Sequence, residues 1–198
     1  MFLRLCATLL IACTVVGAKA DSRDLTRLRT IGYPGGDSIY IFTSATCPHC
    51  ATFHRDVLPS LINKYATTGK AQIFFVDDSA ATPAIEASML ARCMPEEKSE
   101  PFMTKVFENQ REWSQTKNAT DKLIKYATSL GLTRKEAQQC LANSDLRVTM
   151  RDQWANLSNL YHILFLPTVA FRRGNEVKTY TGANRTAVLN GIAHDFPQ

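Results

Sequence analysis

Two cysteines two residues apart, Cys47 and Cys50, stand where a strand-forming run gives way to helical periodicity. The run is Ile39-Tyr40-Ile41-Phe42; beyond the pair, Cys50, Phe53, Val57 and Leu61 recur with helical spacing. A second unbroken apolar run, Ile73-Phe74-Phe75-Val76, follows. Unbroken runs suit strands covered on both faces. Strand, helix, strand therefore predicts a βαβ unit with parallel strands and a right-handed crossover. The helix is expected over residues 47–66, kinked at Pro59 and left at Gly69.

This placement puts Cys47 at a helix N-terminus. Unpaired N–H groups and aligned peptide dipoles favour negative charge there. A thiolate is that charge, and a thiol becomes nucleophilic only when deprotonated. Pro48 falls where a missing N–H costs nothing. Cys50, at i+3, shares the face of Cys47 and is close enough to close a small ring with it. Cys47 is thus the expected attacking and attacked sulfur and Cys50 its more buried partner. His49 adds a dipole, or a positive charge when protonated, that favours the thiolate. The bland reading of a C-x-x-C pair is half of a zinc site, but there is one such pair, with only His49 and His54 nearby, and no metal is expected.

Residues 1–20 read as an export signal: Arg4 for the positive start, an apolar run over residues 5–16, and Ala18-Lys19-Ala20 for cleavage. Lipid attachment at Cys13, after Leu10-Ile11-Ala12, is the less favoured alternative, since Thr14-Val15-Val16 continues the apolar run. The formal charge of +5 falls to +3 once Arg4 and Lys19 leave with that segment. No basic stripe interleaved with aromatics appears, so nucleic-acid binding is not expected. Cleavage would leave four cysteines, Cys47, Cys50, Cys93 and Cys140, an even number that fits an oxidising compartment. The terminal Asp195-Phe196-Pro197-Gln198 is no retention signal of the KDEL kind, so the expected site is the periplasm, not the ER lumen.

Residues 21–31 read as a polar arm or a first helix. From 82 to 161 the signals are helical. Thr82-Pro83 reads as N-cap and first helical position, with Ala87, Leu90, Ala91 and Met94 as one face. Phe102, Val106 and Phe107 mark a second helix reaching towards Trp113, and Leu123, Ile124, Ala127 and Leu130 a third. Thr133-Arg134-Lys135-Glu136 is a capping box opening a fourth, and Leu146, Met150, Trp154, Leu157 and Tyr161 a fifth. These stripes are core packing, and Tyr161 and His162 are read as helix-end packing, not as catalytic residues. Asp77-Asp78 could bring a carboxylate near the dithiol but is read as a solvated strand end. Thr168-Val169-Ala170-Phe171 and residues 177–180, joined at Arg173-Gly174-Asn175, form a hairpin, and Asn184 caps a last helix.

The order is βαβ, a block of helices, then ββα: an α/β thioredoxin-type fold, residues 21–81 and 163–198, with an inserted all-helical domain at 82–162. With Cys47-Pro48-His49-Cys50 and Leu166-Pro167-Thr168 before the hairpin, the chain resembles the DsbA family of bacterial thiol–disulfide oxidoreductases. The resemblance implies a cis Pro167 facing the dithiol, with Leu166 and Thr168 presenting backbone to an extended client. Leu166 is a departure, since threonine or valine is commoner there, and the direction of its effect is open. It implies no cofactor beyond the redox-active disulfide, a monomer, reduced or unfolded proteins as clients, and a quinone-linked membrane reoxidase of the DsbB kind. Cys93 and Cys140, on separate helices without neighbouring ligands, are read as a structural disulfide, which some DsbA relatives also carry.

The function expected is an exported oxidase introducing disulfides through Cys47–Cys50. Two rivals stay open: a reductase or isomerase using the same dithiol, and a non-catalytic metal- or client-binding module.

Overall fold

The computed structural model describes residue 24 and residues 27–197. The export segment and Cys13 lie outside the described residues.

The sheet is five-stranded in the order β1-β3-β2-β4-β5, from β1 Arg29–Ile31, β2 Asp37–Thr43, β3 Ala71–Asp77, β4 Thr168–Arg173 and β5 Glu176–Thr181. β2 and β3 run parallel, with Ile39 beside Ile73 and Thr43 beside Asp77. β4 lies antiparallel to β2, and β5 to β4. Alternation along β2 splits its side chains between two cores. Ile39 and Ile41 pack with Phe53, Leu61, Phe171 and Ile192 on one face. Phe42 packs with Val76, Tyr161 and Trp154 on the other. Burial on both faces is why runs 39–42 and 73–76 carry no polar residue.

The helix after β2 is broken into α1 Pro48–Asp56 and α2 Leu58–Leu61, followed by a π-helical turn at Ile62–Ala66. The break comes at Val57, because Pro59 has no N–H for the preceding turn and occupies the first turn of α2 instead. The insertion comprises α3 Thr82–Cys93, α4 Glu96–Glu108, α5 Gln110–Ser114, α6 Ala119–Thr128, α7 Arg134–Leu141 and α8 Ser144–Leu160. Its core is continuous from Ala84 and Leu90 through Phe102 and Trp113 to Leu146 and Met150, and it reaches Cys50. The chain closes with α9 Arg185–Asp195, capped by the Asn184 side chain accepting from the Ala187 N–H. α7 opens on the reciprocal Thr133–Glu136 capping box.

Four sequence expectations are corrected. The polar segment 21–31 ends in the edge strand β1, paired antiparallel with β3. The segment running towards Trp113 is two helices, interrupted at Asn109, whose side-chain amide donates to the Lys105 carbonyl at 2.8 Å. The N-cap of α3 is Ala81, one residue before Thr82. Asp77 is not a solvated strand end: it is 4% exposed and faces the Arg29 guanidinium at 3.6 Å.

Arg29 anchors β1 to the rest of the fold. Its guanidinium lies 4.2 Å from the Phe75 ring centroid and donates to Glu100 at 3.3 Å. Glu100 also bonds His54. Burial pushes the Glu100 carboxyl up, but the bond from His54 and the charge of Arg29 outweigh it and hold it below its ordinary value. One buried charge group thus ties β1, β3, α1 and α4 together.

Candidate active site

β2 ends at Thr43 and α1 begins at Pro48, so the loop 44–47 is short. The Cys47 N–H donates to the Ser44 carbonyl at 3.1 Å, and the Ser44 and Thr46 hydroxyls lie 3.2 Å apart. Cys47 is the N-cap of α1, with extended backbone (φ −83°, ψ 120°) and Pro48 behind it. In that position its sulfur stands beside the first turn, although its side chain accepts no capping hydrogen bond there.

Cys47 is half-buried and Cys50 is sealed, 0% exposed; both are free thiols. Pro48 and His49 are exposed. The Cys50 sulfur accepts the Ser44 N–H at 3.4 Å. The hydrogen bond from Cys50 to the Cys47 sulfur is the largest influence lowering the Cys47 thiol, from 9.0 to about 6, against an opposing contribution from burial. The backbone N–H groups of Cys50 and His49 and the charge of His49 add to it. Helix-end amides therefore help hold the thiolate, but the neighbouring thiol does more. The same bond, with burial, pushes the Cys50 thiol strongly upward. One sulfur is an anion near neutral pH while its partner keeps its proton.

Facing the pair, the Leu166–Pro167 peptide bond is cis, and the Leu166 carbonyl oxygen lies 3.9 Å from the Cys47 sulfur. Leu166 is partly buried and packs against the insertion core and the Phe42 cluster. Pro167 is buried and its carbonyl accepts the Gly182 N–H at 2.9 Å. Thr168 is 2% exposed, and its hydroxyl donates to the Phe165 carbonyl at 2.8 Å and pairs with Thr181 at 3.0 Å. Its side chain therefore braces the loop, and its backbone lies in β4 between Phe42 of β2 and Thr181 of β5. Cys93 and Cys140 are joined in a disulfide between α3 and α7. Tyr161 packs on Tyr40 and Phe42, and His162, with φ 51°, lies exposed beyond α8.

Two features of the site escaped the sequence reading. Gln110, on α5, is buried and donates its side-chain amide to the carbonyls of Ala45 at 2.8 Å and Cys47 at 2.9 Å. Nothing in its sequence neighbourhood signals that contact, which joins residues 63 and 65 apart. Leu164 and Phe165, 82% and 68% exposed, lie in the loop leading to Leu166. Their signal was available: two large apolar residues in a segment outside any helical stripe. Among the described residues no group of three or more His, Cys, Asp and Glu could hold a metal ion. Among the same residues no helix is long and apolar enough to cross a membrane.

Comparison with known proteins agrees with this fold. The family model described as Thioredoxin matches residues 29–180. Two Rickettsia proteins carrying provisional protein-disulfide oxidoreductase names are similar. The one from Rickettsia typhi is 30% identical over 67% of this chain and 48% of its own length. The one from Rickettsia prowazekii is 27% identical over 69% and 50%. The chain thus spans about half the length of the curated relatives it matches. Among solved structures, Wolbachia pipientis alpha-DsbA1 superposes with a TM-score of 0.74 at 20% identity, over 85% of this chain and 89% of that one. Bacillus subtilis BdbD gives 0.71 at 17% identity over 85% and 92%. The α/β fold with its helical insertion is accordingly the one these proteins share.

Proposed function

The chain belongs to the thioredoxin family, and from that premise we propose that it is an exported thiol–disulfide oxidoreductase that introduces disulfides into client proteins through Cys47 and Cys50. The observation that carries the reading is the unequal pair: a half-buried sulfur held as thiolate at a helix N-terminus, backed by a sealed thiol that keeps its proton.

In the working cycle the oxidised pair meets a client thiolate, which attacks the Cys47 sulfur. The Cys47–Cys50 bond breaks, and Cys50 leaves with the electron pair and takes up a proton, the form its environment favours. A second client thiolate then attacks the client sulfur of the mixed disulfide and displaces Cys47. A thiol of low pKa leaves readily. Two electrons have passed from client to enzyme, and the client carries a new disulfide. Stabilising the Cys47 thiolate stabilises the reduced enzyme, about 30 mV towards a stronger oxidant for each pKa unit. That supports the oxidising direction.

A quinone-linked membrane partner of the DsbB kind resets the pair; the support for it is the resemblance carried by Cys47-Pro48-His49-Cys50 and Leu166-Pro167-Thr168. The clients are unfolded or reduced proteins, and support comes from Leu164 and Phe165, which offer apolar surface beside the loop facing Cys47. The dithiol is complete within one chain, which supports a monomer. Export to the periplasm rests on residues 1–20 and on an intramolecular disulfide elsewhere in the fold.

Oxidation of a reduced dithiol peptide tests the reading. The oxidised protein should form the peptide disulfide and a Cys47→Ala variant should not; retained activity in that variant would overturn it. Equilibration with glutathione reads direction: a potential near that of thioredoxin would favour reduction or isomerisation instead.

A further inference from the structure

The loop between β2 and α1 is held by a residue of the helical insertion. The Gln110 side-chain nitrogen has two hydrogens, and the carbonyl oxygens of Ala45 and Cys47 lie 2.8 and 2.9 Å from it. Only the –NH₂ end of the amide matches two carbonyls, so its orientation follows from its partners. Gln110 is 6% exposed and Ala45 is 1% exposed, which makes these bonds costly to lose. Three residues further along α5, Trp113 is fully buried and donates its indole N–H to the Val106 carbonyl at 2.8 Å. That anchor fixes α5, and so Gln110, to the end of α4.

We propose that Gln110 is a positioning residue of the dithiol, clamping the Ala45 and Cys47 carbonyls so that the Cys47 sulfur stays beside the first turn of α1. The proposal rests on the dithiol reading above. The Cys47 carbonyl also accepts the N–H groups of Cys50 at 3.0 Å and Ala51 at 3.2 Å, so it is the hub of the first turn. Rotation about the Cys47 backbone that carried the sulfur off the turn would pull this carbonyl from Gln110 and leave a buried amide without its acceptor. Turning the Ala45 carbonyl away has the same cost. The loop therefore has one favoured arrangement, and the inserted helices, not the sheet alone, select it. On this view the insertion is part of the redox site and not only a wall beside it.

The test compares the full-length reduced protein with Gln110→Met, which keeps length and burial but removes both donors, and Gln110→Asn, which keeps an amide too short to reach both carbonyls. Thiolate absorbance against pH reads the Cys47 titration, and a cooperative melt confirms that each variant folds. Both folded variants should titrate higher than wild type by at least about 0.5, the equivalent of a weakened hydrogen bond to the loop. A purely structural role would lower the melting temperature and leave the midpoint in place. A low wild-type midpoint retained by the folded variants would overturn this proposal alone. A wild-type midpoint near that of a free thiol would overturn the dithiol reading, and this proposal with it. Asn is the milder change, so it supplies the answer if Met does not fold.

Discussion

The hydrogen bond between the Cys50 thiol and the Cys47 sulfur does two jobs at the scale of single residues. It lowers Cys47 and raises Cys50, so the nucleophile and its protonated partner come from one contact. Cys50→Ala removes the donor, and Cys50→Ser replaces it with a hydroxyl. The Cys47 midpoint should therefore rise from about 6 towards 9.0 in the alanine variant and less in the serine variant. Midpoints that stay near 6 in both variants would assign the effect to the helix amides instead. The same asymmetry gives a pH dependence of stability. Unfolded Cys47 titrates near 9.0 and folded Cys47 near 6, so between those values the reduced folded state binds fewer protons than the unfolded one. The contribution is complete above about pH 9 and is lost as the pH falls through about 6. Cys50 shifts the other way and keeps its proton in both states below about pH 9, so it does not offset this window. Denaturant titrations of reduced and oxidised protein should show the reduced form gaining on the oxidised as pH rises from 6 to 9. A flat difference would contradict the assignment.

Among the elements, β1 is the clearest case of tertiary contacts making secondary structure. Three residues, Arg29–Ile31, are too short a run to announce a strand, although Thr30 and Ile31 are β-branched. They pair with β3 because Arg29 meets Asp77, Glu100 and the Phe75 ring in one buried place. Arg29→Met keeps much of the packing but takes the nearest guanidinium from buried Asp77 and part-buried Glu100, leaving them Arg92 and His54. It should lower stability by roughly 3–5 kcal/mol, measured by denaturant unfolding; a loss below about 1 kcal/mol would mean the group is screened like a surface pair. This also marks where sequence reading stops. Runs 39–42 and 73–76 were legible because burial on both faces leaves an uninterrupted apolar signature. α7 and α9 were legible because Thr133 and Asn184 are local caps whose partners lie three residues away. Cys47 was legible because strand, proline and helix meet at it. β1 and the Gln110 clamp were not, because a polar residue buried by partners more than 40 positions away leaves no periodic trace. Asp77 was misjudged for the same reason: a carboxylate at a strand end looks solvated until its arginine is placed.

Across the whole molecule, a sheet with a dithiol at its rim is continued by an insertion that shares its core and grips its loop. The Cys93–Cys140 bridge ties α3 to α7 within that insertion, closing a sequence separation of 47. Removing it through Cys93→Ala/Cys140→Ala should cost about 4 kcal/mol in the chain-entropy description. Thiol exchange at Cys47 should survive in the folded fraction, because the bridge joins α3 to α7 and includes neither sulfur of the pair. Thermal unfolding together with a peptide-oxidation assay separates the two effects, and loss of exchange at full folding would contradict a purely structural bridge. Direction, clients and reoxidation all depend on how the assembled fold treats the sulfur of Cys47. The most direct reading of that is the rate at which a small alkylating agent modifies Cys47 in the reduced protein as a function of pH. The account predicts a rate that rises with a midpoint near 6 and levels off around neutrality. A midpoint near 9.0, the value of an unperturbed thiol, would contradict it.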